Sequence, residues 1–271
     1  MGEEVQKMNT GEKHTFVICA YKKSNYLEKC IQSLKNQTVK SQIIMITSTP
    51  NEFISNLAQK YSIPLYINEG QGGIVQDWNF GYHLATTTYI TLAHQDDVYF
   101  ENYTEEMLRC MAKKKRPLIY FTNYAEIRNG VKVTQNQLLN IKRFMLSPLQ
   151  VRFFQNSRFV RRRILSLGCP ICCPSVTFVR NNLPETVFQT GFRSCEDWEA
   201  WEMLSRVKGS FIYNKRILMG HRIHEDSETS HIIQDNERVK EDFVMYCKFW
   251  PKWLAKILVK LYSSGEKSNE L

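Results

Sequence analysis

Residues 88–99 read TYITLAHQDDVY, an apolar run that breaks abruptly into His94, Gln95, Asp96 and Asp97. Tyr89 to Ala93 mix β-branched, aromatic and small residues without polar alternation, which predicts a strand covered on both faces. Ligands gather just beyond the C-terminal end of such a strand. Two adjacent carboxylates there repel each other unless a cation offsets them, so the pair points to a metal bound together with an anionic partner. The competing reading makes Asp97 the cap of a helix carrying Met107, Leu108 and Met111, but Tyr99 to Tyr103 intervene.

Working outward, the chain alternates strand and helix. HTFVICA (14–20) reads as another buried strand, and Asn25 with Glu28 predicts a capping box for a helix bearing Leu27, Ile31 and Leu34. Ile43 to Thr47 is the next strand, and Pro50 and Asn51 open a helix with Ile54, Leu57, Ala58 and Tyr61 at helical spacing. Ile63 to Ile67 follows as a short strand, then the Gly-rich loop NEGQGG (68–73) and a helix from Ile74 to Ala85. Such alternation implies a parallel sheet with right-handed crossovers and helices on both faces.

Further on, strands are expected at Leu118 to Thr122, Pro174 to Arg180 and Phe211 to Tyr213, and Ser194 is placed to cap a helix with Trp198, Trp201, Met203 and Leu204 inward. In the tail, Trp250, Trp253, Leu254, Ile257, Leu258 and Leu261 share one helical face beside Lys248, Lys252, Lys256 and Lys260.

At 271 residues the chain can bury one large core, and its first dozen residues lack the apolar core of a signal peptide. No run approaches the roughly 20 apolar residues of a spanning helix. A cytoplasmic protein is expected, peripheral on the inner face of the cell membrane. The eight cysteines form no small-domain disulfide framework, and Cys169, Cys172 and Cys173 lack the second pair of a zinc knuckle, so they read as small buried residues. The formal charge of +9 is uneven, because Ile127 to Pro184 holds ten Arg or Lys and no Asp or Glu. NIKRFMLSPLQVRFFQNSRFVRRRI (140–164) interleaves Arg with apolar residues, which suits an anionic membrane surface better than nucleic acid, since no recognised nucleic-acid module accompanies it.

Four stretches in order resemble the family 2 glycosyltransferases, inverting enzymes of the GT-A fold that use nucleotide-sugar donors. FVICAYKKSNYLEKCIQSLKNQT is similar to the family's opening strand, nucleotide loop and first helix, and NEGQGGIVQDWNFGYHLATTTYITLAHQDD to its middle block with the acidic metal motif. CEDWEAW resembles the Glu-Asp motif of the catalytic base, and YNKRILMGHRIHEDSETS a later Arg and His segment near the donor diphosphate. The resemblance implies an α/β fold: a GT-A-like, Rossmann-type, mixed but mostly parallel sheet flanked by helices, with a helical C-terminal extension. Its parts would be a flexible N-terminus (1–12), the glycosyltransferase domain (13–230) with a basic acceptor- or membrane-facing insertion (127–168), and an amphipathic helical extension (231–271).

The resemblance also assigns roles. Asp197 would be the base with Glu196 beside it; Ala20, Tyr21, Ser48, Asn79, Asp96 and Arg222 would contact the donor; and Asp96, Asp97 and His224 would hold the divalent cation, Mg or Mn. His94 stands where many members have the first Asp of an Asp-x-Asp motif, and Ile46 to Thr49 (ITST) replaces the usual acidic segment that reads the base. The implied reaction moves a sugar from a nucleotide-sugar, UDP-linked, to a glycan or lipid-linked acceptor in bacterial-type surface polysaccharide synthesis. Two alternatives stand beside it, a metal-dependent nucleotidyl or phosphoryl transferase and a non-catalytic membrane- or polyanion-binding module. Acidic residues in a helix's first turn are also stabilised by its dipole, by roughly 0.3–1 kcal/mol, which would account for Glu196 and Asp197 without catalysis.

Overall fold

The computed structural model describes residues 13–224 and 237–267. Strands β1 (His14–Cys19), β2 (Gln42–Thr47), β3 (Leu65–Ile67) and β4 (Tyr89–His94) alternate with helices α1 (Leu27–Lys35), α2 (Glu52–Lys60) and α3 (Ile74–Leu84). The four strands pair in parallel in the order β3-β2-β1-β4, with Cys19 beside His94 at the ligand-facing edge. After β5 (Val98–Tyr99) and α4 (Tyr103–Met111) the sheet extends past β4 through β8 (Thr177–Val179), β6 (Pro117–Arg128) and β9 (Ser210–Ile223). β8 is antiparallel to both its neighbours, whereas β6 and β9 run parallel to each other. β7 (Val131–Val133) flanks β6, and β5 returns antiparallel to the far end of β9. The sheet is therefore mixed and mostly parallel, as the alternation predicts, but β6 and β9 are far longer than the short strands expected there.

Apolar clusters cover both faces. One gathers Phe16, Leu27, Ile31, Ile54 and Met107, and the other Phe178, Phe188, Trp198, Trp201 and Tyr246. α3 presses on β1 through Gly81, where an added Cβ would lie 2.6 Å from Val17 Cγ1. Two local expectations fail. The capping box at Asn25 does not form, because Glu28 instead accepts from Lys60 and Tyr61 on and after α2. Ser194 is not the cap of α7 (Glu196–Ser205): the N–H groups of Arg193, Ser194 and Cys195 are held by Glu241. Glu241 belongs to α8 (Glu237–Cys247), which with α9 (Lys252–Lys267) follows the sheet.

These last two helices belong to the same core. Met245, Tyr246, Ala255 and Val259 are buried in the cluster around Trp198 and Trp201. The N-terminal segment 1–12 and the 230/231 boundary lie outside the described residues. In the basic region, α5 (Gln137–Leu146) and α6 (Arg158–Leu165) are joined by two short 3-10 turns. Its charges are mostly engaged inward. Arg161, 1% exposed, donates to the carbonyls of Ser205, Val207 and Gly209 beyond α7, and its burial pushes the guanidinium down to about 10. Arg162 pairs with Glu202, and Arg163 stacks between Phe159 and Trp250. Arg161 and Arg162 thus form a clamp inside the fold, while Arg163 is exposed. Arg161→Met leaves three carbonyls without their donor, and a loss on the order of 3 kcal/mol is expected. That loss should read in thermal melts as a Tm roughly 6–12 °C lower; a variant melting with the parent would show that the clamp contributes nothing.

Candidate active site

The two carboxylates at the end of β4 are separated by the fold. Asp97 is 1% exposed, accepts the backbone N–H of Arg222 at 2.8 Å, and lies 3.1 Å from His221 Nδ1. Both partners come from the end of β9, which is brought there by the antiparallel pairing of Val98 with Gly220. Burial pushes the Asp97 carboxyl up, but the neighbouring His221 and the Arg222 N–H hold it below the ordinary carboxylate range. Burial likewise opposes a charge on His221, yet the Asp97 carboxylate raises its pKa above the usual imidazole value. The pair is therefore an internal ion pair, and the sequence expectation of a metal ligand at Asp97 meets a side chain already spent on β9.

Asp96 is the carboxylate left at the surface of the cleft. Ser24 donates to its Oδ1 at 2.6 Å, and His224 Nε2 lies 3.3 Å from its Oδ2. Arg222 donates from Nε to the Asp96 carbonyl at 2.9 Å and packs its guanidinium 4.2 Å from the centre of the Tyr26 ring. His224 stands 5.0 Å from that same ring. Asp96, Arg222 and His224, all named from sequence, thus converge. Residues 225–230 of the HEDSETS segment lie outside the described residues.

The loops after β1 and β2 form the neighbouring wall. Ala20 is buried and donates to the Ile46 carbonyl, whereas Tyr21 is exposed with its backbone held on both sides by Gln95. Thr49 Oγ1 accepts from the Lys22 N–H at 2.6 Å, tying the two loops together. Beside them an open cleft of about 590 Å³ is lined by Lys22, Lys23, Thr49 and Asn51. Ser48 donates at 2.6 Å to Asp77, a buried carboxylate on α3 that also accepts from Asn68 at 2.7 Å. Sequence reading missed Asp77, Gln95 and His221; an acid inside the Gly-rich block was the only signal for Asp77.

Asn79 differs from expectation. Its Nδ2 donates to the Phe188 carbonyl at 2.8 Å and its Oδ1 accepts the Phe188 N–H, so the amide clamps the segment after β8 and is not presented to a donor. Its neighbour Trp78 stacks on His94 with ring centres 5.1 Å apart. Burial lowers the pKa of His94, keeping the ring neutral, and its Nε2 finds no hydrogen-bond partner among the described residues.

The second acidic pair opens α7. Glu196 is buried, whereas Asp197 is partly exposed, with the Trp198 N–H 2.6 Å from Oδ1 and the Cys169 thiol 3.7 Å from Oδ2. Burial raises the Asp197 pKa above the ordinary carboxyl value, against the pull of that N–H, of Lys142 on α5 and of Arg238 on α8. Burial, with the charges of Asp97 and Asp197 adding to it, pushes the Cys172 thiol up. Of Cys169, Cys172 and Cys173, expected as small buried residues, only Cys173 is buried and the other two are partly exposed. Among the described residues no three His, Cys, Asp or Glu side chains are grouped to hold a metal alone.

A family model described as Glycosyl transferase family 2 matches residues 15–188. The chain belongs to that family. It is a sugar-transferring enzyme, and its fold is the GT-A fold. An uncharacterized glycosyltransferase of Rickettsia prowazekii is 23% identical over 269 residues, covering 93% of this chain and 80% of that protein. Among solved structures, S. aureus TarS 1-349 with UDP-GlcNAc superposes with a TM-score of 0.60 at 14% identity, covering 91% of this chain and 70% of that one. The mannosyltransferase PcManGT from Pyrobaculum calidifontis, with GDP-Man and Mn2+, gives 0.61 at 12% identity over 93% and 69%. The family match ends before Asp197.

The ion pair has a pH signature. His221, raised, contributes fully below its ordinary value of about 6.5 and loses its contribution as pH rises through the raised one; Asp97, lowered, loses its own only as pH falls through its depressed value. Asp97→Asn keeps the acceptor for Arg222 but not the charge. Its Tm deficit against the parent should be largest between the two ordinary values, 3.8 and 6.5, and shrink as pH rises through the raised His221 value, as read by melts across that range; a deficit independent of pH would contradict the pairing.

Proposed function

We propose that this enzyme transfers a sugar from a nucleotide-sugar, UDP-linked, to a hydroxyl of a glycan or lipid-linked acceptor, with inversion and Asp197 as general base, in surface polysaccharide synthesis. The observation that carries the reading is the grouping of Asp96 with His224 and Arg222 at the cleft, with a separate carboxylate of raised pKa, Asp197, in the first turn of α7.

On the donor side, Tyr21 and Ser48 border the nucleoside and Arg222 the diphosphate. Ser48 gives its proton to Asp77, which leaves its oxygen lone pairs to accept an N–H of the base. One carboxylate and one imidazole, Asp96 and His224, fit a hard divalent cation such as Mn or Mg only if diphosphate oxygens and water complete its shell, the usual arrangement at substrate phosphates. When bound, that cation supplies charge neutralisation for the leaving diphosphate. Asp97 is assigned to structure and Asn79 to the Phe188 clamp.

On the acceptor side, the hydroxyl oxygen attacks the anomeric carbon opposite the diphosphate. Its proton passes to the Asp197 carboxylate, and the electrons of the breaking C–O bond leave with the diphosphate. A raised pKa makes Asp197 a stronger base that must still be ionised, so rate should rise with pH through that raised value. Glu196, being buried, supports the turn.

Asp197→Asn should lower the transfer rate roughly 10²–10⁴-fold and erase the acidic limb of the rate–pH profile, with donor affinity and Tm close to the parent. Glu196→Gln should shift Tm more than rate. Transfer by Asp197→Asn at the parent rate would refute the assignment.

A further inference from the structure

α9 has two apolar sides. Ala255 and Val259 face the core, yet Trp253, Ile257 and Leu261 stand outward, with Trp253 67% and Leu261 66% exposed. Of the apolar face that periodicity predicts, Trp250, Leu254 and Leu258 are partly buried, whereas Trp253, Ile257 and Leu261 are left outside. Lys252, Lys256 and Lys260 run alongside them at four-residue spacing, all exposed.

A second apolar surface adjoins the start of this helix. Phe144 at the end of α5 is 80% exposed, Phe153 in the connecting turns 79% and Phe159 on α6 73%, with Ile141 and Val151 also exposed. The two surfaces are joined by Arg163, whose guanidinium lies 5.8 Å from the Phe159 ring centre and 4.9 Å from that of Trp250, two residues before α9. Trp250 in turn donates to the Ser166 carbonyl, so α9 is tied to the end of α6.

We propose that this joined surface docks the enzyme on an anionic lipid bilayer, with Trp253, Ile257, Phe153 and Phe159 entering the headgroup region and the lysines of α9 meeting the lipid phosphates. Charge decides between occupants. Residues 127–184 contain no acid, and residues 252–262 of α9 contain none either. A second copy seated on the same strip would bring lysine row against lysine row, whereas an anionic surface satisfies both the row and the apolar strip between. Arg161 and Arg162, engaged inside the fold, take no part.

The location also suits the acceptor side. Lys142 lies on the same helix as Ile141 and Phe144 and is electrostatically coupled to Asp197. Trp198, next to Asp197, donates to the Leu165 carbonyl of α6 and packs 6.0 Å from the Tyr262 ring of α9. The base and the docking surface therefore hang on one scaffold. The docking proposal does not depend on the sugar-transfer reading.

The test is flotation of the full chain with vesicles of phosphatidylcholine alone or mixed with phosphatidylglycerol, at low and high salt. The parent should float with the anionic vesicles, lose that binding steeply with salt and ignore the neutral ones. Trp253→Ser with Ile257→Ser, and separately Phe153→Ser with Phe159→Ser, should each reduce bound protein at least ten-fold while donor hydrolysis in solution and Tm stay at parent values. Absence of flotation with anionic vesicles at low salt would overturn the proposal, as would equal flotation with neutral ones. So would a dimer in sedimentation that the Trp253→Ser, Ile257→Ser pair disperses, which would make the surface a contact between copies.

Discussion

The site depends on one buried carboxylate. Asp97 follows the turn after β4 and holds the backbone and side chain of β9, a strand more than a hundred residues away, through the Arg222 N–H and His221. A desolvated acid in that position is tolerable only with a charged partner and a directed N–H, and both are supplied by one dipeptide, His221–Arg222. Once that bond is made, the direction of the next residues follows. Arg222 swings to the Asp96 carbonyl and the Tyr26 ring, and His224 arrives at the Asp96 carboxylate. The adjacent acids that look like one motif do two jobs, because the turn after β4 sends Asp97 toward the end of β9 and Asp96 toward Ser24 and His224.

The other half of the cleft is held from behind. Trp198 follows Asp197 in the first turn of α7 and bonds the Leu165 carbonyl, while Glu241 gathers the three N–H groups that precede the helix. Arg161 closes the far end of the same helix by holding the Ser205, Val207 and Gly209 carbonyls. α7 is thus fixed at both termini by charged groups from other helices. That rigidity would serve the proposed base, whose usefulness depends on its position and on how strongly its surroundings desolvate it.

How much of this was legible follows from the range of the interactions. The strand–helix alternation through β4 and the place of Asp197 in the first turn of α7 leave local signatures in composition and order, whereas Asp96, His224 and Arg222 are named together only through the family resemblance. What escaped was made by distant contacts. His221 gains its role only because β5 pairs with β9, and Asp77 reads as an ordinary helix residue until Ser48 and Asn68 close on it. Asn79 carries the family pattern yet serves Phe188. The arginine run misled most, because a charge cluster in sequence looks solvated, whereas three carbonyls past a helix end can accept a buried guanidinium. The same segment's Phe144, Phe153 and Phe159 face outward.

The division between Asp96 and Asp97 is most directly tested by anomalous diffraction at the manganese edge from crystals grown with Mn2+ and a nucleoside diphosphate. One peak is expected in coordination contact with the Asp96 carboxylate and His224, with Asp97 still bonded to the Arg222 N–H and His221. A peak on the Asp97 carboxylate, with its bond to β9 broken, would contradict the account.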